Sequence, residues 1–479
     1  MNRKDFLQKA SLLGTAVAFR PAGLFAAPAN DWTSRRPPLA DRKFTSDAVE
    51  TTIRNVKKAI TDPQLAWLFE NCFPNTLDTT VDFEIINGKP DTYVITGDID
   101  AMWLRDSTAQ VWPYLSLIKT DNRLQQLVKG VINRQTKCIL LDPYANAFYK
   151  DFLKESEWKS DLTTMKPGIH ERKWEIDSLC YPIRLAHGYW QLTGDTSPFD
   201  ADWLEAMRKV LQTFTEQQRK HGKGPYTFQR STSWATDGVP LSGYGYPVKP
   251  VGLICSMFRP SDDATIFPFL VPANFFAAHS IDQLYSILHY IKADMKPFRP
   301  YENLQTEIRT ALEQHAYVQH GTLGQVIAYE VNGFGSYNLM DDANVPSLLS
   351  LPYLLGDAFS KKTVYRNTRR MLLSPDNPFY FSGSAGEGNG SPHTGLEYIW
   401  PMSITMRALT SSDEKEMLHC LKILVYANAG TGFMHESFYK DDASKFTRKW
   451  FAWANTLFGE LVLKLFRQYP AILKSFTST

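Results

Sequence analysis

Three aspartates (Asp98, Asp100, Asp106), Arg105 and Trp103 stand within the eleven residues from Gly97 to Ser107, GDIDAMWLRDS. So much charge beside an aromatic ring is costly to pack in an ordinary core, because each carboxylate must stay hydrated or find donors. A sugar ring suits the set. The Arg105 guanidinium is a planar fork of donors, the carboxylates accept from hydroxyls, and the Trp103 indole offers a flat apolar face. Two other readings fit the same residues. An Arg-Asp dipeptide can close a helix end as a salt bridge or cap. Asp98 and Asp100 could instead ligate a divalent ion beside a nucleotide-sugar, although no glycine-rich phosphate loop accompanies them.

Hydrolysis of a glycosidic bond needs one carboxyl to protonate the leaving oxygen and a second carboxylate to activate water or attack carbon. Asp262 and Asp263, in RPSDDA, run into the apolar stretch from Phe267 to Ala273. Low polarity and a like-charged neighbour both raise a carboxyl pKa, as a general acid requires; the same doublet after Ser261 also reads as a helix N-terminus. Glu436 lies between His435 and Ser437 in GFMHESF. Donors on either side would keep it ionised and oriented, as a base requires, and a glutamate in a surface turn is the plainer alternative. Lys173 to Leu179 (KWEIDSL, with Glu175 and Asp177) and the run from His393 to Trp400 offer further hydroxyl ligands or, equally, helix caps. Arg448 with Trp450 and Trp453 adds another wall of aromatic and basic groups.

Helices must hold these segments. Leu124, Leu127, Val128, Val131 and Ile132 form an i, i+3, i+4, i+7, i+8 stripe, and Trp203, Met207, Val210, Leu211 and Phe214 repeat it. Leu284 to Ile291, Met417 to Leu424 and Leu457 to Leu465 make three more. Val81 to Ile86, the pair Asn87-Gly88, and Tyr93 to Ile95 predict a β-hairpin with a primed turn that leads into the aspartate-rich segment. Long polar loops are expected at Gly222 to Pro250, Asn332 to Asn344 and Ser382 to Gly395. Many helices, recurring long loops and no βαβ alternation favour an α/α toroid around a central pocket.

With 52 basic and 50 acidic residues the net charge is +2, and no long run of one sign points to nucleic acid. Apolar residues at 43% and aromatics at 13% supply a sizeable core with rings to spare for a carbohydrate site. Arg3 and Lys4, the apolar run Leu12 to Phe19 and small residues near Ala27 read as a signal peptide over residues 1–27. Arg20 interrupts the run, so no membrane span is expected. Residues 28–45, with Pro37 and Pro38, read as a tether, and 46–475 as one catalytic domain. The five cysteines are odd in number and scattered, with neither a disulfide nor a metal-site pattern. An exported chain with buried thiols suits a bacterial periplasm.

Taken in order, GDIDAMWLRDS, KWEIDSLCYP, RPSDDATIFPFLVPANF, HTGLEYIWPMS, GFMHESF and FTRKWFAWAN resemble the motif set of glycoside hydrolase family 125, the bacterial exo-α-1,6-mannosidases. The resemblance spans about residues 45 to 470. It implies a mainly α, (α/α)6 toroid with a few short hairpins in its loops. It also implies an inverting reaction, free of metal and cofactor, that removes terminal α-1,6-linked mannose from N-glycan or mannan-type oligosaccharides. Carried over, the acid falls in the Asp262-Asp263 doublet and is assigned to Asp263, with Asp262 as its neighbour alternative; the base falls on Glu436. Trp103, Arg105, Asp106, Asp177, His393 and Trp400 line the expected mannose pocket, with His435 helping to hold its shape. The competing readings are an inverting exo-glycosidase for another sugar, a periplasmic glycan-binding protein, and a lyase, which would need a basic pocket for uronic acids.

Overall fold

Each apolar stripe becomes part of a helix in the computed structural model, which describes residues 32–478. Leu124, Leu127, Val128, Val131 and Ile132 are all buried on one helix and Trp203, Met207, Val210, Leu211 and Phe214 on another. Asp121 and Asp200 cap these two, each accepting from a backbone N–H three residues on. In chain order the helices are α1 (Asp47–Ala59), α2 (Pro63–Cys72), α3 (Asn75–Thr79), α4 (Leu104–Val111), α5 (Asn122–Leu141), α6 (Ile176–Thr193), α7 (Ala201–Gln217) and α8 (Val271–Tyr290). They continue as α9 (Leu304–His315), α10 (Leu351–Leu355), α11 (Thr363–Leu372), α12 (Pro401–Leu409), α13 (Glu414–Ala427), α14 (Ala452–Gln468) and α15 (Pro470–Ser475).

Every second helix from α4 onward lies inside. α4 packs on α14 and α6, α6 on α8, α8 on α10, and α12 on α14. The alternate helices lie outside: α5 packs against α6 and α7, α9 against α8, α13 against α12, and α2 against α14. Burial follows the sorting. All eight residues of α4 are buried, and a helix with no solvent face belongs in an interior. The architecture is an (α/α)6 toroid.

Short strands lead the chain into the inner helices and tie the site segments together. Met102–Trp103, entering α4, joins Ala147–Phe148 and Ile169–Glu171 in one sheet. Phe269–Leu270, entering α8, pairs with Glu330–Val331, which also pairs with Tyr337–Asn338. Tyr398–Ile399, just before α12, joins Ser437–Tyr439 and Asp442–Thr447. The hairpin expected from Asn87-Gly88 forms, with Val81 opposite Val94 and Ile86 opposite Lys89. Its turn residues have φ of 51° and 76°, the left-handed pair that a primed turn demands.

The stretch expected as loop from Ser382 is partly a second hairpin, Tyr380–Gly383 with Gly386–Asn389. Its glycines hide the alternation that marks a strand. Gly386 is needed because a Cβ there would stand 2.6 Å from Ile423.

Ser34–Thr479 forms one compact unit. The segment read as a tether is therefore anchored from Ser34 on: Arg36 reaches Asp78 at 2.7 Å and Glu50 at 2.5 Å. The expected signal peptide lies outside the described residues. Among the described residues no helix is long and apolar enough to cross a membrane, and all five cysteines are buried and unbridged.

Candidate active site

All of the segments singled out in the sequence but GFMHESF lead into inner helices, and GFMHESF pairs through Ser437–Tyr439 with the strand that leads to α14, so the toroid gathers them at one end. Trp103 is the N-cap residue of α4, with Arg105 and Asp106 in its first turn. Glu175 is the N-cap residue of α6, with Asp177 in its first turn. Trp400 and Phe451 hold the same position on α12 and α14. Helix N-termini carry partial positive charge and free N–H groups, which suits a site rich in carboxylates.

Arg105 is the hub. Its Nη1 donates to Glu175 Oε2 at 2.6 Å and Asp177 Oδ2 at 3.2 Å, and its Nη2 to Asp262 Oδ1 at 3.3 Å. Asp106 Oδ2 lies 3.4 Å from Nε. Burial pushes Asp106 and Asp177 up to about 6, against the pull of Arg105. Burial also drives Glu175 well above the usual carboxylate range. At Asp262 burial acts the same way but is outweighed, chiefly by Arg105 and a hydrogen bond with Glu175, and its carboxyl stays below that range.

The two members of the aspartate doublet differ sharply. Asp262 has φ of 66°, an uncommon conformation for a residue with a side chain. That turn leaves its side chain 23% exposed, while Asp263 is 2% exposed. Asp263 Oδ1 accepts from Thr236 Oγ1 at 2.7 Å and lies 3.6 Å from His393 Nδ1. Asp342 takes hydroxyl donors from Ser261 at 2.8 Å and Ser391 at 3.0 Å, locking the doublet's turn to the His393 segment. The acid expected at Asp263 therefore sits behind the surface, and its alternative, Asp262, opens to solvent.

Glu436 is held differently from the expectation that His435 and Ser437 flank it as donors. The Ser437 hydroxyl pairs with Thr447 at 2.7 Å, and His435 is fully buried, stacked on Phe446 with ring centroids 3.6 Å apart. With those partners neither neighbour donates to Glu436. His435 thus supports the segment and does not line the pocket. The donor is Arg448, whose Nη1 stands 3.4 Å from Glu436 Oε1 while its Nη2 grips Asp98 at 2.6 Å. Arg448 was legible only as a member of an aromatic and basic wall.

Trp400 is 2% exposed, donates from Nε1 to Thr394 Oγ1 at 2.8 Å and meets His393 edge-on at 6.2 Å. It braces His393, as Asp177, fully buried, braces Arg105. Trp103 keeps a buried indole N–H without a protein acceptor. Asn146 and Thr236 gave no signal in the sequence, and Lys173 was only the first residue of the KWEIDSL segment. Asn146 Nδ2 donates to Asp262 Oδ1 at 3.3 Å, and Lys173 Nζ holds the Asp262 carbonyl at 2.9 Å. Asp98 and Asp100 do not converge on a common ion: the first pairs with Arg448, and the second lies 3.7 Å from Lys154. Among the described residues no group of three or more His, Cys, Asp or Glu is placed to hold a metal.

An (α/α)6 toroid with paired carboxyls, arginine clamps and indoles at one end of its inner ring has the groups that glycosidic hydrolysis requires. Residues 62–463 match the family described as metal-independent α-mannosidases, GH125. A Streptococcus pneumoniae protein of the metal-independent α-mannosidases, solved in a non-productive complex with α-1,6-mannobiose, is 39% identical with a TM-score of 0.84, over 89% of this chain and 100% of that one. The meiotically up-regulated gene 157 protein of Schizosaccharomyces pombe is 43% identical over 92% of this chain and 90% of its own length. The chain belongs to glycoside hydrolase family 125 and is an α-mannosidase.

Proposed function

We propose that the enzyme removes terminal, non-reducing α-1,6-linked mannose from N-glycan or mannan-type oligosaccharides with inversion, using Asp262 as acid and Glu436 as base. The observation that carries this reading is the pair of separately clamped carboxyls, Asp262 on Arg105 and Glu436 on Arg448. Asp106 stands between the two clusters and feels both Asp262 and Arg448. An inverting glycosidase keeps its carboxyls roughly 6.5 to 9.5 Å apart to admit a water. The exposure of Asp262 favours it over Asp263, because a general acid must reach the leaving oxygen. The α-1,6 linkage is supported by the disaccharide found on the pneumococcal relative.

Asp262 protonates the glycosidic oxygen as the bond from C1 breaks, and Glu436 takes a proton from the water that attacks C1 from the other face. Arg105 and Asp106 hold the sugar hydroxyls, and Trp103 offers its apolar face to the ring. Export to a periplasm belongs to the same reading and is supported by the basic and apolar character of residues 3–19.

Proton NMR of α-1,6-mannobiose with the purified protein, beside the α-1,2 and α-1,3 isomers, tests the whole. β-Mannose appearing first, and from the α-1,6 compound alone, is the expected result. Early α-mannose means retention and removes the base role of Glu436. Release from another isomer overturns the linkage, and binding without release from any would favour a glycan-binding protein.

A further inference from the structure

Two carboxyl groups in mutual hydrogen-bond contact must share a proton, because ionised carboxylates only accept. Glu175 and Asp262 are in such contact, at one edge of the Arg105 guanidinium. Glu175 is sealed from solvent. Its Oε2 takes donors from Arg105 and, at 2.8 Å, from Ser178 Oγ, while no protein donor reaches Oε1. A buried carboxyl oxygen without a donor is costly unless the group itself carries hydrogen.

The charge count agrees. Asp106, Glu175, Asp177 and Asp262 all stand on the single guanidinium of Arg105. Lys173, also close, directs its ammonium to Asp237 and to the Asp262 carbonyl. Glu171, Arg448 and His393 face the same cluster, the first adding negative charge, the second positive charge at Asp106 and the third able to add positive. Four carboxylates cannot all ionise there.

We infer that Glu175 is a positioning residue for the acid step: at rest it holds the proton of the Glu175–Asp262 pair, and it passes that proton to Asp262 for delivery to the leaving oxygen. The inference rests on Asp262 being the acid. In each turnover the Glu175 O–H bond breaks as the Asp262 O–H bond forms. The latter then breaks as the leaving oxygen gains its hydrogen and loses C1. The proton that Glu436 strips from water returns to the pair through solvent, so no other reactant is consumed. The arrangement keeps a proton beside an acid that Arg105 would otherwise hold ionised.

Glu175→Gln is the test. The amide keeps the shape and donates permanently to Asp262, but has no proton to give up. On α-1,6-mannobiose kcat should fall about 100-fold, the low end of general-acid catalysis. On an aryl α-mannoside with a good leaving group the loss should stay below about 10-fold. The basic limb of the kcat/KM profile should move down by about one pH unit or more, since the macroscopic pKa belongs to the pair. Equal losses on both substrates, or an unmoved limb, would overturn the inference. Should Glu175→Gln not fold, Ser178→Ala removes a donor from the ionised form of Glu175 and should move the same limb upward; no movement is again fatal. Asp262→Asn is run in parallel. If it retains activity on mannobiose, the acid assignment itself fails, a result separable from any defect at Glu175.

Discussion

At residue scale the site turns on which of two adjacent carboxyls meets the substrate. Sequence chemistry marks the doublet and leaves the choice open, because Asp262 and Asp263 share their neighbours in the chain. A left-handed φ at Asp262 separates them in space, exposing one and burying the other. Asp262→Asn should lower kcat on α-1,6-mannobiose by about 100-fold or more and recover much of it on an aryl mannoside with a good leaving group. Glu436→Gln should lose comparably on both substrates, since a better leaving group does not activate water. Steady-state kinetics on the two substrates distinguishes these outcomes.

At the scale of elements, local chemistry was most legible where a turn or a stripe is self-sufficient. Asn87-Gly88 announces its hairpin, and the five apolar stripes announce their helices. The hairpin from Tyr380 to Asn389 was not legible, since it packs through glycines that carry no pattern. The His435 segment shows how an element supports the site. Burial lowers the His435 pKa to about 4, below its unfolded value, so its contribution is present above about pH 6.5 and lost as pH falls through 4. From this group alone the expected loss is up to about 3 kcal/mol. Urea unfolding at pH 7 and pH 4.5 should show a smaller drop in stability for His435→Asn than for the unsubstituted protein. An identical drop would mean that His435 does not titrate as its burial requires.

At the scale of the whole molecule, the N-terminal segment from Ser34 is part of the body. Arg36 and Asp78 are 4% and 2% exposed at their side chains, and removing one member of such a pair leaves a buried charge uncompensated. Arg36→Ala should cost about 3 to 5 kcal/mol, read as a lower Tm, with kcat unchanged in the fraction that stays folded. A second prediction follows from the Arg448 and Lys154 pairings of Asp98 and Asp100. With those carboxylates engaged by side-chain cations, dialysis against a strong chelator should leave kcat/KM within error of its starting value, and a large loss restored by a divalent ion would reverse that view.

The sequence by itself determined the helical class, the primed hairpin turn and the carboxylate-bearing segments, because each is written in residues within a few turns of one another. Only the tertiary structure decided which carboxyl of the doublet faces solvent, that Arg448 and not His435 or Ser437 holds Glu436, and that Glu175 and Asp262 share one donor fork. Arg105 and Asp262 are 157 positions apart, and Arg448 and Glu436 are 12. The first depends on the relative placement of inner helices and the second on the register of one hairpin, and neither is written in the local pattern of residues.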